Sequence, residues 1–329
     1  MKKNIRQHLS FKTFVLELKE KPIRYSIFFS LFLFLLFLPG QNYYQTLFLI
    51  KKEPTFITFP FSLPAPALYP KITGKDPIPF LTAQGAILID VDSQVVLYAK
   101  NPHLRLYPAS TTKIMTAVTA MENYAPDAIL TAWESISEAS TDAALVGLKS
   151  GDRVSLKGLL YGLLLNSGAD AAETLSQNFP GGKKAFILEM NKKAQSLHLR
   201  DTHFVNESGL DDKDQYTSVL DLARFTTYAL KKPLFAEIVG TKELFITDIS
   251  GKKRYYLKNI NKLLGEVWGV NGVKTGYTEK AGECLVAQAE RNSHRLLSVM
   301  LNSLDRFAET QAFLEWGFQN ITWENSLLR

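Results

Sequence analysis

GVNGVKTGYTEKAGECLVAQAERNSHRLLSVMLN, residues 269–302, reads as three consecutive strands. Its β-rich runs are broken between residues 278 and 282 and again at Arg291-Asn292-Ser293-His294, where small and polar residues suit chain reversal. Toward the other end, AILIDVDSQVVLYA (residues 86–99) is two β-rich runs around Asp92-Ser93, the pattern of a hairpin. ELFITDISGKKRYYLKNI (residues 243–260) reads as another hairpin. Helical patterns fill the space between: one after Pro108, a Leu-rich one near 155–165 and one at about 170–179. An amphipathic helix over 183–198 places Phe186, Met190, Ala194 and Leu197 on one face, and another starts at Ser218 with Asp221 as a capping box. Phe307, Gln311, Leu314 and Phe318 mark one side of a closing helix. Strands at both ends with helices between exclude a βαβ repeat and indicate an α+β fold, a mainly antiparallel sheet with helices against it.

The N-terminus carries a different signal. YSIFFSLFLFLLFL, residues 25–38, is fourteen residues without a charge, preceded by seven Lys/Arg and two Asp/Glu in residues 1–24. This is an export signal, and at ~1.5 Å per residue it covers about 21 Å, short of the ~30 Å hydrocarbon core. NYYQTLFLI (residues 42–50) extends it, no A-x-A-like cleavage site follows, and Tyr43 and Tyr44 suit an interface, so an uncleaved signal anchor over 25–50 is favoured over a cleaved peptide. The basic tail, residues 1–24, holds +5 of the overall +6, which places it on the cytoplasmic side and removes the main argument for nucleic-acid binding. Seven of the fourteen prolines fall between residues 54 and 79, so residues 51–84 read as a semi-extended extracytoplasmic stalk. The expected folded domain spans 85–323, with a short tail at 324–329. The single cysteine, Cys284, excludes an intrachain disulfide and a cysteine zinc site.

Three short motifs carry chemistry. In PASTTKIMTAVTAM (residues 108–121), Ser110 and Lys113 stand three apart at a helix start, Ser167-Gly168 follows some fifty residues on, and Lys274-Thr275-Gly276 lies on a late strand. Each alone has an ordinary structural reading: a cap, a helix break, a strand end. Together, in that order in an exported chain, they are the set found in penicillin-binding proteins and class A β-lactamases. A serine hydroxyl needs a base within about 2.6–3.2 Å, and i,i+3 on a helix supplies one in Lys113. Burial and a second cation, Lys274, would lower the Lys113 pKa from ~10.4 so that it can accept a proton. The five His residues are scattered and no G-x-S-x-G elbow occurs, so a Ser-His-Asp triad is unsupported.

On these motifs, and on FVNESGLDD (residues 204–212), VNGVKTGYTEKAGECLVA (270–287) and LLSVMLNSLDRFAETQAFLEWGF (296–318), the chain resembles the serine D-alanyl-D-alanine carboxypeptidases of the low-molecular-mass penicillin-binding proteins. The resemblance implies a β-lactamase/transpeptidase-like fold: a five-stranded antiparallel sheet with a helical cluster. It implies that Ser110 is acylated by the penultimate D-Ala of a peptidoglycan stem peptide, with Lys113 as base and Ser167 relaying a proton to the leaving amine. Lys274 and Thr275 would bind the terminal carboxylate, Gly276 would allow close approach, and the N–H groups of Ser110 and Tyr277 would form the oxyanion hole. No metal or organic cofactor is required, and β-lactam antibiotics are implied as covalent inhibitors. The expected place is a bacterial cell membrane, crossed once, with the catalytic domain on the extracytoplasmic face. One position departs from the family: Ala169 stands where the second motif usually has Asn. A D,D-endopeptidase, a class A-like β-lactamase using Glu207, and a catalytically weak penicillin- or wall-binding module are the alternatives.

Overall fold

The computed structural model of the chain describes residues 22–37, 68–133 and 143–324. Helix α1 (Pro22–Leu36) belongs to the N-terminal unit of residues 1–63, and every other element to the compact unit from residue 64 onward. None of the side chains of α1 is buried, and no helix among the described residues is long and apolar enough to cross a membrane. Most of the expected basic tail, the anchor beyond residue 37, the stalk up to residue 67 and the tail at 325–329 lie outside the described residues.

The compact unit runs β1 (Tyr69–Ile72), β2 (Gly85–Asp90), β3 (Val96–Lys100), α2 (Lys113–Asn123), β4 (Ile129–Thr131) and β5 (Arg153–Ser155). Then come α3 (Leu156–Leu164), α4 (Ala169–Gln177), α5 (Gly182–Ser196), α6 (Val219–Leu230), α7 (Pro233–Val239), β6 (Glu243–Thr247) and β7 (Arg254–Lys258). β8 (Val270–Thr278), β9 (Gly282–Arg291), β10 (His294–Ser303), α8 (Arg306–Asn320) and β11 (Ile321–Glu324) close it. The first hairpin and the three late strands form one five-stranded antiparallel sheet in the order β3-β2-β10-β9-β8, the α+β arrangement expected from the sequence. At the β9–β10 turn Asn292 and Ser293 adopt φ of 50° and 64°, the positive values that let a two-residue loop follow the strand twist.

Both faces of the sheet are covered. Ile87, Ile89, Val286 and Val299 pack against the helical block, while Leu88, Leu285 and Met300 meet Phe313, Leu314 and Trp316 of α8. This is why β2, β9 and β10 read as apolar runs rather than as an alternation. Helix α2 sits inside the block with residues 113–120 all buried, so the motif at its start is held by the core. Phe186, Met190 and Ala194 of α5 are buried as expected, and Leu197 is half-buried. The expected capping box at Ser218 forms by half: Ser218 Oγ accepts from the N–H of Asp221 at 3.2 Å, but the Asp221 carboxylate accepts from the N–H of Asp201 at 2.7 Å.

Two expectations need correction. The stalk does not run to residue 84, because β1 pairs antiparallel with β11, Ile72 opposite Ile321, and the folded unit therefore starts near residue 68 rather than 85. Residues 73–83 then strap α8: the Asn320 carbonyl accepts from the N–H groups of Thr73 and Gly74 at 2.9 and 3.0 Å, and Glu309 accepts from the N–H of Ala83 at 3.2 Å. Pro70 is compatible with β1 because a two-stranded ribbon leaves one side of each strand unpaired. The buried face of α8 is also rotated from the one expected. Phe313, Leu314, Trp316, Gly317 and Asn320 are buried and Gln311 is exposed, since α8 is covered by the strap as well as by the sheet and buries polar groups that apolar periodicity does not count.

Candidate active site

Ser110 lies on a single 3₁₀ turn, Ala109–Thr112, that leads directly into α2. With three residues per turn, side chains at i and i+3 eclipse one another, a closer alignment than the α-helical one expected. Lys113 Nζ accordingly lies 3.0 Å from Ser110 Oγ. It also donates to the carbonyl of Ser208 at 2.6 Å, which aims the amine from a second direction. Lys113 is only 2% exposed. Burial lowers its pKa to about 8, against the carboxylates of Glu207 and Asp170, which favour the ammonium. Lys274, 1% exposed, is pushed well below the usual lysine range by burial first and then by the charges of Lys113 and Arg306. Burial, rather than the second cation, is thus the leading cause at Lys113. The repulsion between the two amines is relieved at Lys274, and the pair holds one proton more readily than two.

The edge strand β8 meets the serine turn backbone to backbone. A Cβ on Gly276 would stand 3.1 Å from Ser110 N and 3.2 Å from Pro108 O, so glycine is what permits this approach. Lys274 Nζ donates to Thr275 O at 2.9 Å, Thr275 Oγ1 is buried with no hydrogen-bond partner, and Tyr277 is exposed at the strand end. Arg306, at the start of α8, donates from Nη1 to Gly276 O at 2.7 Å, and its buried Nε has no partner. The motif reading missed this third cation. Its one local signal is the N-cap Asp305, which accepts from Ala308 N at 3.0 Å, and only the strand order puts that helix start beside β8.

The stretch 204–212 supplies the far side of the lysine. Gln215 Oε1 accepts from the N–H groups of Val205 and Asn206 at 2.8 and 3.0 Å, and Asn206 Oδ1 accepts from Gly209 N at 2.7 Å. The loop so folded presents the Ser208 carbonyl to Lys113. Gly209, at φ +88°, lies so close to the serine turn that a Cβ would stand 1.9 Å from Ala109 O.

Ser167 occupies the connection between α3 and α4 in a left-handed conformation, φ 60°, and its hydroxyl has no hydrogen-bond partner among the described residues. Helix α4, which it precedes, packs against α2. Ala169 is buried, its N–H donating to Ala144 O at 2.8 Å. Neither polar neighbour is free to stand in for an amide there. Asn166 Oδ1 accepts from Lys258 N at 2.8 Å, while the Asp170 carboxylate accepts from the N–H groups of Val146, Gly147 and Leu148 at 2.8–2.9 Å. Among the described residues no three His, Cys, Asp or Glu side chains converge as a metal site would need.

A hydroxyl against a buried amine, backbone nitrogen beside it, and further cations at the edge strand form a set suited to acyl transfer from a substrate bearing an anionic end. A family model described as D-alanyl-D-alanine carboxypeptidase matches residues 73–304. A D-alanyl-D-alanine carboxypeptidase of Bacillus subtilis is 34% identical over 261 residues, 77% of this chain and 67% of that protein. A D-alanyl-D-alanine endopeptidase of Pseudomonas aeruginosa is 31% identical over 242 residues, 72% of this chain and 77% of that protein. The crystal structure of a Streptomyces DD-transpeptidase superposes with a TM-score of 0.70 at 31% identity, covering 74% of this chain and all of that one. The chain spans about two thirds of the length of the curated carboxypeptidases it matches. It belongs to the D-alanyl-D-alanine carboxypeptidase family.

Proposed function

We propose that this member of the D-alanyl-D-alanine carboxypeptidase family is a serine D,D-carboxypeptidase that removes the terminal D-alanine from peptidoglycan stem pentapeptides. The observation that carries the reading is the 3.0 Å contact between Ser110 Oγ and the buried Nζ of Lys113. Neutral Lys113 takes the hydroxyl proton as Ser110 Oγ attacks the penultimate D-Ala carbonyl. Ser167 passes a proton to the departing D-Ala amine, and water then hydrolyses the ester. Lys274, Thr275 and Arg306 hold the terminal carboxylate, which would favour the protonated form of Lys274 and the neutral form of Lys113. The N–H groups of Ser110 and Tyr277 stabilise the oxyanion where Gly276 lets the strand approach. β-Lactams enter the same route and remain as acyl-enzymes.

A basic N-terminal tail, the apolar run from residue 25 and helix α1 support attachment to a bacterial membrane, with the compact unit on the extracytoplasmic face. The chain beyond the tail is close to neutral, which supports no role in nucleic-acid binding. The endopeptidase relative favours a second reading, cleavage of cross-linked stem peptides by the same residues. A β-lactamase reading is weakened because Glu207, its candidate for activating water, is tied to Lys183 at 3.0 Å. Incubation with a pentapeptide and with a cross-linked dimer, products read by mass, tests the proposal. Release of D-Ala from the pentapeptide alone supports it, and cleavage of the dimer alone replaces it with the endopeptidase.

A further inference from the structure

Glu207 is 1% exposed, the kind of site where a carboxyl is costly unless something uses it. Its main chain and its side chain are held by different parts of the fold. The Glu207 carbonyl accepts from Thr116 Oγ1 at 2.6 Å, and the next carbonyl along, that of Ser208, accepts from Lys113 Nζ at 2.6 Å. Two successive carbonyls thus grip two residues one turn apart on α2. The side chain reaches Lys183 of α5, Oε1 to Nζ 3.0 Å, and Lys183 in turn bonds Glu173 of α4 at 2.7 Å. Glu207 Oε2 is buried without a partner, so its charge is not dispersed into solvent.

We propose that Glu207 is a positioning residue for the general base: its carboxylate, tied through Lys183 to Glu173, holds the Ser208 carbonyl against Lys113 and sets the field in which Lys113 exchanges its proton. The proposal rests on the acyl-transfer reading of Ser110 and Lys113. The charged groups acting on Lys113 are Glu207 from the loop, Asp170 from α4 and Lys274 from β8. Those facing Glu207 are Lys183, Glu173 and Lys113. Burial raises the proton affinity of Glu207, and Glu173 adds to it, while the Lys183 ammonium at 3.0 Å opposes both without reversing the upward direction.

The test is the rate of acylation by a fluorescent penicillin from pH 5.5 to 10 in the full-length chain. Glu207→Gln keeps size and hydrogen bonding but removes the charge that favours the Lys113 ammonium. The acidic limb should move down by about half a unit to one unit, so that at pH 6.5 the variant acylates about three to ten times faster relative to its own plateau. Lys183→Met, at a partly exposed position, leaves two carboxyls without their cation, protonates Glu207 and should move the limb the same way. Glu207→Asp keeps the charge and should leave the limb in place with a lower plateau. If Glu207→Gln fails to fold, as read by circular dichroism, Lys183→Met decides alone. Folded, labelled variants whose limb stays at the wild-type pH overturn the inference and leave the proposed function standing. A wild-type chain that is not labelled at all overturns both.

Discussion

Lys113 Nζ donates to the carbonyl oxygen of Ser208 at 2.6 Å while standing 3.0 Å from Ser110 Oγ, so the amine is pinned between the Ser110 hydroxyl and a loop far along the chain. Buried with Lys274 nearby, it must hold its proton loosely for the arrangement to act.

Ser110→Ala is expected to abolish covalent labelling by a fluorescent penicillin, because the acyl ester then has no oxygen beside Lys113. Lys113→Arg should be nearly as damaging, since guanidinium stays protonated and cannot accept the hydroxyl proton. Gel fluorescence of the three proteins at equal concentration checks both.

The lowered Lys113 pKa sets the direction of the pH dependence. In the proposed mechanism the neutral amine is the base, so acylation should rise about tenfold per pH unit below about 8 and level off above it. A rate that falls as pH rises through 8 would remove Lys113 from the role of base.

Asn166 and Asp170 are committed to Lys258 and to the 146–148 backbone, so no neighbour replaces an amide at Ala169. Ala169→Asn should therefore raise kcat/KM for D-Ala release by roughly ten- to a hundredfold, the worth of a hydrogen bond of ~1.5–3 kcal/mol to a charged partner. Steady-state D-Ala release by the two proteins measures it, and a loss of activity would mean that the buried site cannot admit the longer side chain.

Gly209→Ala puts a methyl against the Ala109 carbonyl at a left-handed position. It should cost more than about 2 kcal/mol in urea unfolding, and penicillin acylation of the folded fraction should slow because the serine turn shifts.

A chain begun at residue 85 lacks β1, buried Leu81 and Ala83, and the bonds from residues 73–83 to Asn320 and Glu309. Loss of about 1.5–3 kcal/mol for Leu81 alone, with buried polar groups left unpaired, should make it at least about 3 kcal/mol less stable than a chain begun at residue 64. Thermal melts of the two proteins compare them, and equal stability would return residues 68–84 to the stalk.

Local chemistry by itself determined the α+β class, the β9–β10 turn at Asn292-Ser293 and the spacing of Ser110 and Lys113. Hairpin turns, apolar runs and i,i+3 geometry depend on neighbours in the chain, and the order of the three motifs added the family resemblance. Only the tertiary structure decided that Ser208, Gly209 and Arg306 belong to the site, that Pro70 lies in a strand, and that burial leads at Lys113. Each of these depends on which distant segments meet. The strand order places β8 and the start of α8 side by side, the loop held by Gln215 folds onto α2, and β11 returns to cover β1. Apolar periodicity records what a helix buries in greasy contact but not the Asn320 and Glu309 that it buries against a strap. The desolvation that lowers the Lys113 pKa exists only once the chain has closed around it.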